Sequence, residues 1–333
     1  MVQHTLPYHM VGLIRKTGRH TLETLRASIV KANYYAGAYQ HRVWLIGDGR
    51  SGTTFLSDLI NHHQRYREMF EPFHPALIKP MQNLAMHEYI RPDTPSHPFW
   101  PLAQRVLQGK FTYPSVDAMN RRLHYRGLLV KDIFANLFAT WAIRQSADNR
   151  LKVILLIRNP FAVALSKYKK KNWIWLTEPR AFLKQPNLVA DYLEPYVDVI
   201  QAVGDDYIER QVLIWAILHY VPFQQLTSNQ IHVVFYEDLI DQPEATLQHL
   251  FEYLSPQDSA EQLNKAMTLF NKPSRVAGSN SNIVQGNSPI ESWRKELTSK
   301  QIDTGLALLE KFGLEKMYDE TGRPRKAQLE AWR

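Results

Sequence analysis

Cysteine is absent from all 333 residues, so no disulfide and no thiolate site can form, a composition that suits a reducing interior. Nor is there an uninterrupted apolar run of about eighteen residues, so no segment is expected to span a membrane. Basic residues Arg15, Lys16, Arg19 and Arg26 mark the amino-terminal stretch. It lacks the apolar core and small-residue cleavage site of a secretory signal, and a soluble cytoplasmic protein is expected; Val11, Leu13 and Ile14 among the basic residues of 1–40 read as an ordinary packing helix or as a peripheral membrane contact. Long Pro, Gly or Ser linkers, low-complexity tracts and internal repeats are also missing, so a single domain over residues 1–333 is expected. No His cluster or paired acidic motif has metal-ligand spacing, and no metal is expected. Isolated Asp48 and Asp132 read as residues that cap, or pair with a nearby arginine or lysine.

What is present points to an enzyme. A hydrophobic content of 44% lets the chain bury a large core. The formal charge is +8, and Lys167, Lys169, Lys170 and Lys171 crowd one segment. That run continues a helix, so its lysines are expected near bound phosphates or in solvent. Aromatic and basic residues rarely alternate elsewhere, and no nucleic-acid partner is expected.

The apolar run Val43–Ile46 leads into Gly47-Asp48-Gly49-Arg50-Ser51-Gly52-Thr53-Thr54. A strand, a glycine-rich turn and a helix in that order make an anion cradle, with close backbone N–H groups and the positive end of a helix dipole. The spacing nearly fits a nucleotide-binding loop, but Thr53 stands where the lysine should be and the cation is Arg50. Such a loop can hold a phosphate or phosphosulfate yet is poorly equipped to move a γ-phosphate. About a hundred residues on, Leu151–Ile157 reads as a buried parallel strand, followed by a helix whose first turn accepts Pro160. Arg158 and Ser166 could grip a second phosphate, which implies a bis-phosphorylated nucleotide. The coarse reading is strand 42–47, helix 53–63, strand 127–132, helix 133–147, strand 151–157, helix 160–171, a long helix near 205–226, strand 231–236 and helix 243–254. Strands alternating with helices imply an α/β fold, a P-loop-like three-layer α/β/α arrangement on a central parallel sheet.

These residues resemble the sulfotransferase family, whose donor is 3′-phosphoadenosine 5′-phosphosulfate (PAPS) and whose product nucleotide is PAP. Gly49–Leu56 resembles the 5′-phosphosulfate loop and Arg158–Ser166 the 3′-phosphate motif, with its eight-residue separation of Arg and Ser. Phe235–Leu239 resembles a landmark near the adenine, and Ser292–Thr298 the end of the carboxyl-terminal donor loop as carbohydrate sulfotransferases carry it. The four landmarks are collinear and cover roughly residues 42–300. The resemblance implies donor contacts from Arg50, Ser51, Gly52, Thr53, Thr54, Arg158, Ser166, Tyr236, Trp293 and Arg294. For Thr53 the alternative is helix capping, and for Tyr236 core packing.

In carbohydrate-type members a Phe-Glu-Pro like Phe70-Glu71-Pro72 supplies a glutamate near the acceptor. Glu71 is therefore the expected general base; otherwise it orders Arg50 or caps a helix. His74 is the rival base, while His62 and His63 read as a polar helix terminus. Cytosolic members place a basic histidine after the second strand, but this chain reads Val130-Lys131-Asp132-Ile133, and Ile133 cannot accept a proton. Lys131 steadies the transferring group or is a surface lysine. Arg50 would stabilise the leaving oxygen electrostatically. The cytosolic Arg-Lys-Gly triplet is missing from 274–286, a Gly-, Ser- and Asn-rich stretch expected to be a flap within the donor-binding loop 274–297. Segment 72–127, read as a helical insertion between the first two strands, and region 172–204 would set the acceptor. Both are aromatic-rich, and a glycan or glycolipid hydroxyl is expected. A bacterial source is expected too, since Golgi members generally carry an anchor. A magnesium-dependent phosphate-loop kinase and a silent nucleotide- or glycan-binding relative are the alternatives.

Overall fold

The computed structural model describes residues 25–325 except 26, 31, 38, 147, 149, 171–172, 227–229 and 271–287. The main elements run β1 (His41–Gly47), α1 (Thr53–Ile60), β2 (Tyr66–Phe70), α2 (Trp100–Leu107), β3 (Gly127–Lys131), α3 (Ala139–Ser146), β4 (Leu151–Ile157), α4 (Pro160–Lys169), α5 (Tyr207–Gln225), β5 (His232–Phe235), α6 (Tyr236–Asp241), α7 (Pro243–Leu254), α8 (Ser259–Phe270), α9 (Trp293–Glu296) and α10 (Ser299–Lys311). The strands form a five-stranded sheet in the order β2-β3-β1-β4-β5. Every pairing is parallel.

The period of two along each strand divides the interior into two cores. Trp44, Ile46, Leu128, Val130, Val153 and Leu155 face one side, against Trp141 of α3, Val163 of α4 and Leu213 of α5. Val43, Leu45, Leu129, Ile154 and Leu156 face the other, against Leu56 and Leu59 of α1 and Leu250 and Phe251 of α7. Both faces of the sheet are thus covered, giving the three-layer α/β/α architecture. After β1 the chain turns to β2 and β3 on one side, and only β4 opens the other. The loops leaving β1 and β4 therefore emerge side by side at the carboxyl edge, where open parallel sheets form a ligand crevice.

Five details depart from the sequence reading. β2 was not expected, because its interior positions Arg67 and Glu68 are charged, yet they are 0% and 2% exposed. Arg67 makes a forked bond to Asp117 at 2.8 and 3.0 Å, and Asn120 bonds Glu68 N and O at 2.8 Å each, standing in for a missing neighbour strand. The expected helix 133–147 is confined to Ala139–Ser146, since Asp132 accepts the Phe134 N–H and holds the following residues in turns. Helix 53–63 ends at Ile60, and strand 231–236 stops at Phe235, Tyr236 opening a helix instead. Segment 72–127 follows β2 rather than β1 and consists mostly of turns around α2.

Candidate active site

The loop after β1 owes its shape to two residues with positive φ, Arg50 at 71° and Gly52 at 96°. Gly52 is the N-cap of α1 and supplies no side-chain cap, so Thr53 is the first helical residue rather than its cap. A Cβ on Gly52 would lie 2.5 Å from the Tyr236 ring, and one on Gly49 2.1 Å from the Trp173 ring. Only glycine lets these rings close on the backbone. Among the described residues the amides of Gly52, Thr53 and Thr54 have no acceptor, and the buried Ser51 Oγ has no partner. An uncapped helix start with unsatisfied donors is a site for an anion.

The loop after β4 is built to meet it. Asn159 caps α4, accepting the N–H of Phe161 at 3.0 Å and of Ala162 at 3.3 Å, and Pro160 occupies the first turn. Its Arg158 donates to the Arg50 carbonyl at 3.0 Å, and Arg50 Nε donates to Ser166 Oγ at 3.1 Å. Arg158 also stacks on Tyr236 at 4.4 Å and reaches the Pro289 carbonyl at 2.8 Å. Among the described residues neither guanidinium has a carboxylate partner. Burial, and then the Arg158 cation, push Arg50 below its ordinary pKa. Two adjacent cations that form no ion pair among the described residues, Arg158 having only the more distant Glu237 carboxylate to act on it and its buried Nε still unpaired, favour a polyanion.

A third tie joins the loops. Lys167, expected near phosphates or in solvent, is instead buried against Asp48, with Nζ 2.8 and 2.7 Å from the two carboxylate oxygens. Asp48 thus pairs with a lysine as its sequence position suggested.

Glu71 sits where β2 ends, with φ 48°, and bonds Lys131 at the end of β3 at 2.5 Å. It does not order Arg50, and Lys131, 2% exposed at its side chain, is no surface lysine. His74 lies between Phe134 and Trp175, 4.4 Å from each ring centre, tilted to the first and edge-on to the second. Its Nδ1 accepts the Ala76 N–H at 3.2 Å, so in the neutral ring Nε2 carries the proton, and burial holds its pKa below the ordinary value. His62 and His63 follow α1, their rings tilted against each other with centres 3.8 Å apart.

Tyr236 is buried between Gly52 and Arg158, a packing residue of the second core. Trp293 stacks on Phe161 at 4.9 Å, with Arg294 4.6 Å from its ring. Of the expected loop 274–297, residues 274–287 lie outside the described residues, as does Lys171. Phe73, Tyr89, Phe99, Phe111, Tyr125 and Phe182 are core, whereas Trp173 and Trp175 are only half-buried and border a small, partly open cavity with Gly49, Ile133 and Phe134. Two positioning residues escaped the sequence reading. Glu237 accepts the Asn159 N–H at 2.9 Å, and Trp215 donates to the Arg158 carbonyl at 2.9 Å. The signal for Glu237 lay within the Phe235–Leu239 landmark; Trp215 gave none. Among the described residues no helix is long and apolar enough to cross a membrane.

Residues 40–319 match the family model described as a sulfotransferase domain. No protein of curated function matches the chain. Among solved structures, the sulfotransferase domain of the Synechococcus PCC 7002 olefin synthase is 16% identical, covering 84% of this chain and 96% of its own, with a TM-score of 0.43. The sulfotransferase domain of the curacin biosynthetic pathway is 16% identical over 80% and 97%, with a TM-score of 0.40. Mouse sulfotransferase SULT7A1 complexed with PAP is 14% identical over 92% and 94%, with a TM-score of 0.40. By the match over residues 40–319, the chain belongs to the sulfotransferase family.

Proposed function

We propose that the chain moves a sulfuryl group from PAPS to an acceptor hydroxyl by in-line transfer, with Glu71 as general base. The observation that carries the reading is the crossing of the loops after β1 and β4, Arg50 to Ser166 and Arg158 to the Arg50 carbonyl, with neither guanidinium in an ion pair among the described residues. The α1 amides, Ser51, Thr53 and Thr54 bind the 5′ end of the donor, and Arg158 and Ser166 its 3′-phosphate. Bound there, PAPS supplies an activated sulfur whose leaving group is a phosphate oxygen. Arg50 lowers the charge developing on that oxygen without giving up its proton. Lys131 holds the Glu71 carboxylate and offers a further cation to the equatorial oxygens. His74 is disfavoured as base, because its acceptor nitrogen is engaged by Ala76. Trp293 and Arg294 close the donor side.

The acceptor is a glycan or glycolipid hydroxyl on this reading. It is supported by the Phe70-Glu71-Pro72 and Trp293-Arg294 resemblances and by the half-buried indoles of Trp173 and Trp175, flat faces suited to a sugar ring. A cytoplasmic setting belongs to the same proposal and rests on the cysteine-free composition.

Calorimetric titration with PAP, and with ATP in the presence and absence of magnesium, tests the donor. Magnesium-independent binding of PAP, lost in Arg158→Ala, is expected. Preference for ATP with magnesium would overturn the reading in favour of a kinase. Labelled PAPS with a panel of glycans and glycolipids then tests transfer, Glu71→Gln being expected to abolish it.

A further inference from the structure

One residue beyond Lys131 lies a carboxylate that the chemistry above does not use. Asp132 is 0% exposed, and among the described residues it forms no ion pair, since the Lys131 ammonium goes to Glu71. Its Oδ2 accepts the N–H of Phe73 at 2.9 Å, and its Oδ1 accepts the N–H of Phe134 at 2.7 Å. Its own N–H donates to the Leu45 carbonyl of β1 at 2.9 Å. The aspartate is thus fixed to the central strand and reaches in two directions, to the turn that carries Glu71 and to the aromatic wall against which His74 lies.

The Glu71 turn needs such a hold. A residue with a side chain at φ 48° persists only where its surroundings impose the conformation. Two anchors impose it here. Glu71 N–H donates to the Lys131 carbonyl at 2.7 Å, and two residues on, Phe73 N–H donates to Asp132. Consecutive residues at the end of β3 therefore hold both ends of the turn, while the Lys131 side chain holds the carboxylate.

We propose that Asp132 is a positioning residue for sulfuryl transfer, its two oxygens fastening the Glu71 turn and Phe134 to one point at the end of β3. The proposal rests on the reading of Glu71 as general base. A buried carboxylate without a cation is an expensive way to hold two amides. Burial pushes the Asp132 pKa up to about 7, the two N–H donors acting against it and Glu71 and Lys131 facing it. The geometry explains why both oxygens are required: each meets one N–H, so an asparagine would turn its own NH₂ toward one of the two donors.

The test compares Asp132→Asn, Glu71→Gln and the double variant in the full chain, by PAP calorimetry, melting temperature, backbone amide exchange and PAPS turnover with octyl β-galactoside and with water. Asp132→Asn is expected to bind PAP with wild-type affinity and to lower kcat about 10- to 100-fold, the scale of a misplaced catalytic group, without raising the KM for PAPS. Amides of Glu71–His74 are expected to exchange faster, those of β1 unchanged. The double variant is expected to be as inactive as Glu71→Gln and to bind PAP with wild-type affinity, since Asp132 acts through Glu71 and not on the donor. Unchanged exchange over Glu71–His74 would overturn the proposal, whatever the turnover. So would wild-type kcat in Asp132→Asn beside an inactive Glu71→Gln, or a loss of PAP affinity and melting temperature together, which would mark Asp132 as a support for the whole fold. Full activity in Glu71→Gln would instead remove the reading on which the proposal stands.

Discussion

Whether the loops after β1 and β4 behave as one rigid unit depends on Asp48 and Lys167. Each side chain is 2% exposed, and the ammonium bonds both carboxylate oxygens. Burial lowers the Lys167 pKa while Asp48 opposes it. Removing one member of such a pair leaves an uncompensated buried charge and costs about 3–5 kcal/mol. That is a large share of the roughly 5–15 kcal/mol by which a domain is stable. Lys167→Met and Asp48→Asn are therefore each expected to lower the free energy of urea unfolding by that amount, and the double variant to recover about 2 kcal/mol relative to the sum. PAP affinity separates a brace from a ligand. If the pair braces the loops, both single variants weaken PAP alike. Were Lys167 instead a phosphate ligand, Asp48→Asn would release it and preserve or raise affinity while Lys167→Met alone lost it, and that result would refute the brace. Losses under about 1 kcal/mol in both single variants would also refute it, since only a solvated pair is worth so little.

Gly52→Ala forces a Cβ to within 2.5 Å of the Tyr236 ring at φ 96°, so PAP affinity is expected to fall at least about tenfold, or 1.4 kcal/mol. Gly313→Ala, at φ 67° with nothing within 4 Å, is the calorimetric control and should carry only the backbone strain. Arg67→Lys keeps the charge but not the fork to Asp117, and thermal unfolding should show a loss of about 2–3 kcal/mol. Burial pushes the Glu237 pKa from the ordinary 4.5 up to about 7. The folded state then holds a proton that the unfolded chain releases, so this contribution to stability is full below 4.5, falls as pH rises toward 7 and is flat above. The melting temperature of Glu237→Gln minus that of wild type should accordingly rise between pH 5 and pH 8; a constant difference would refute the assignment.

The legible parts of this fold were those where a single local signal and the tertiary environment agreed. Val43–Ile46 and Leu151–Ile157 are apolar at every interior position bar Lys152, because helices cover both faces of the sheet, and their strands fell where the sequence put them. Arg158, Asn159 and Pro160 also announce a strand end and a capped helix in their own order. β2 was hidden because its charges are paid for by residues far along the chain: the Asp117 that satisfies Arg67 lies 50 positions away, and the Asn120 that closes the ladder of Glu68 lies 52 away. The same distance in sequence conceals how the candidate site is assembled. Lys167 reads as one of a run near phosphates or in solvent until Asp48, 119 residues upstream, is seen to pair with it, and the Glu71–Lys131 pair joins residues 60 apart. A motif names side chains whose partners are backbone or ligand, because those contacts depend only on local shape. It is silent on side chains whose partners are other side chains, and here those ion pairs and buried carboxylates are what hold the motif residues in place.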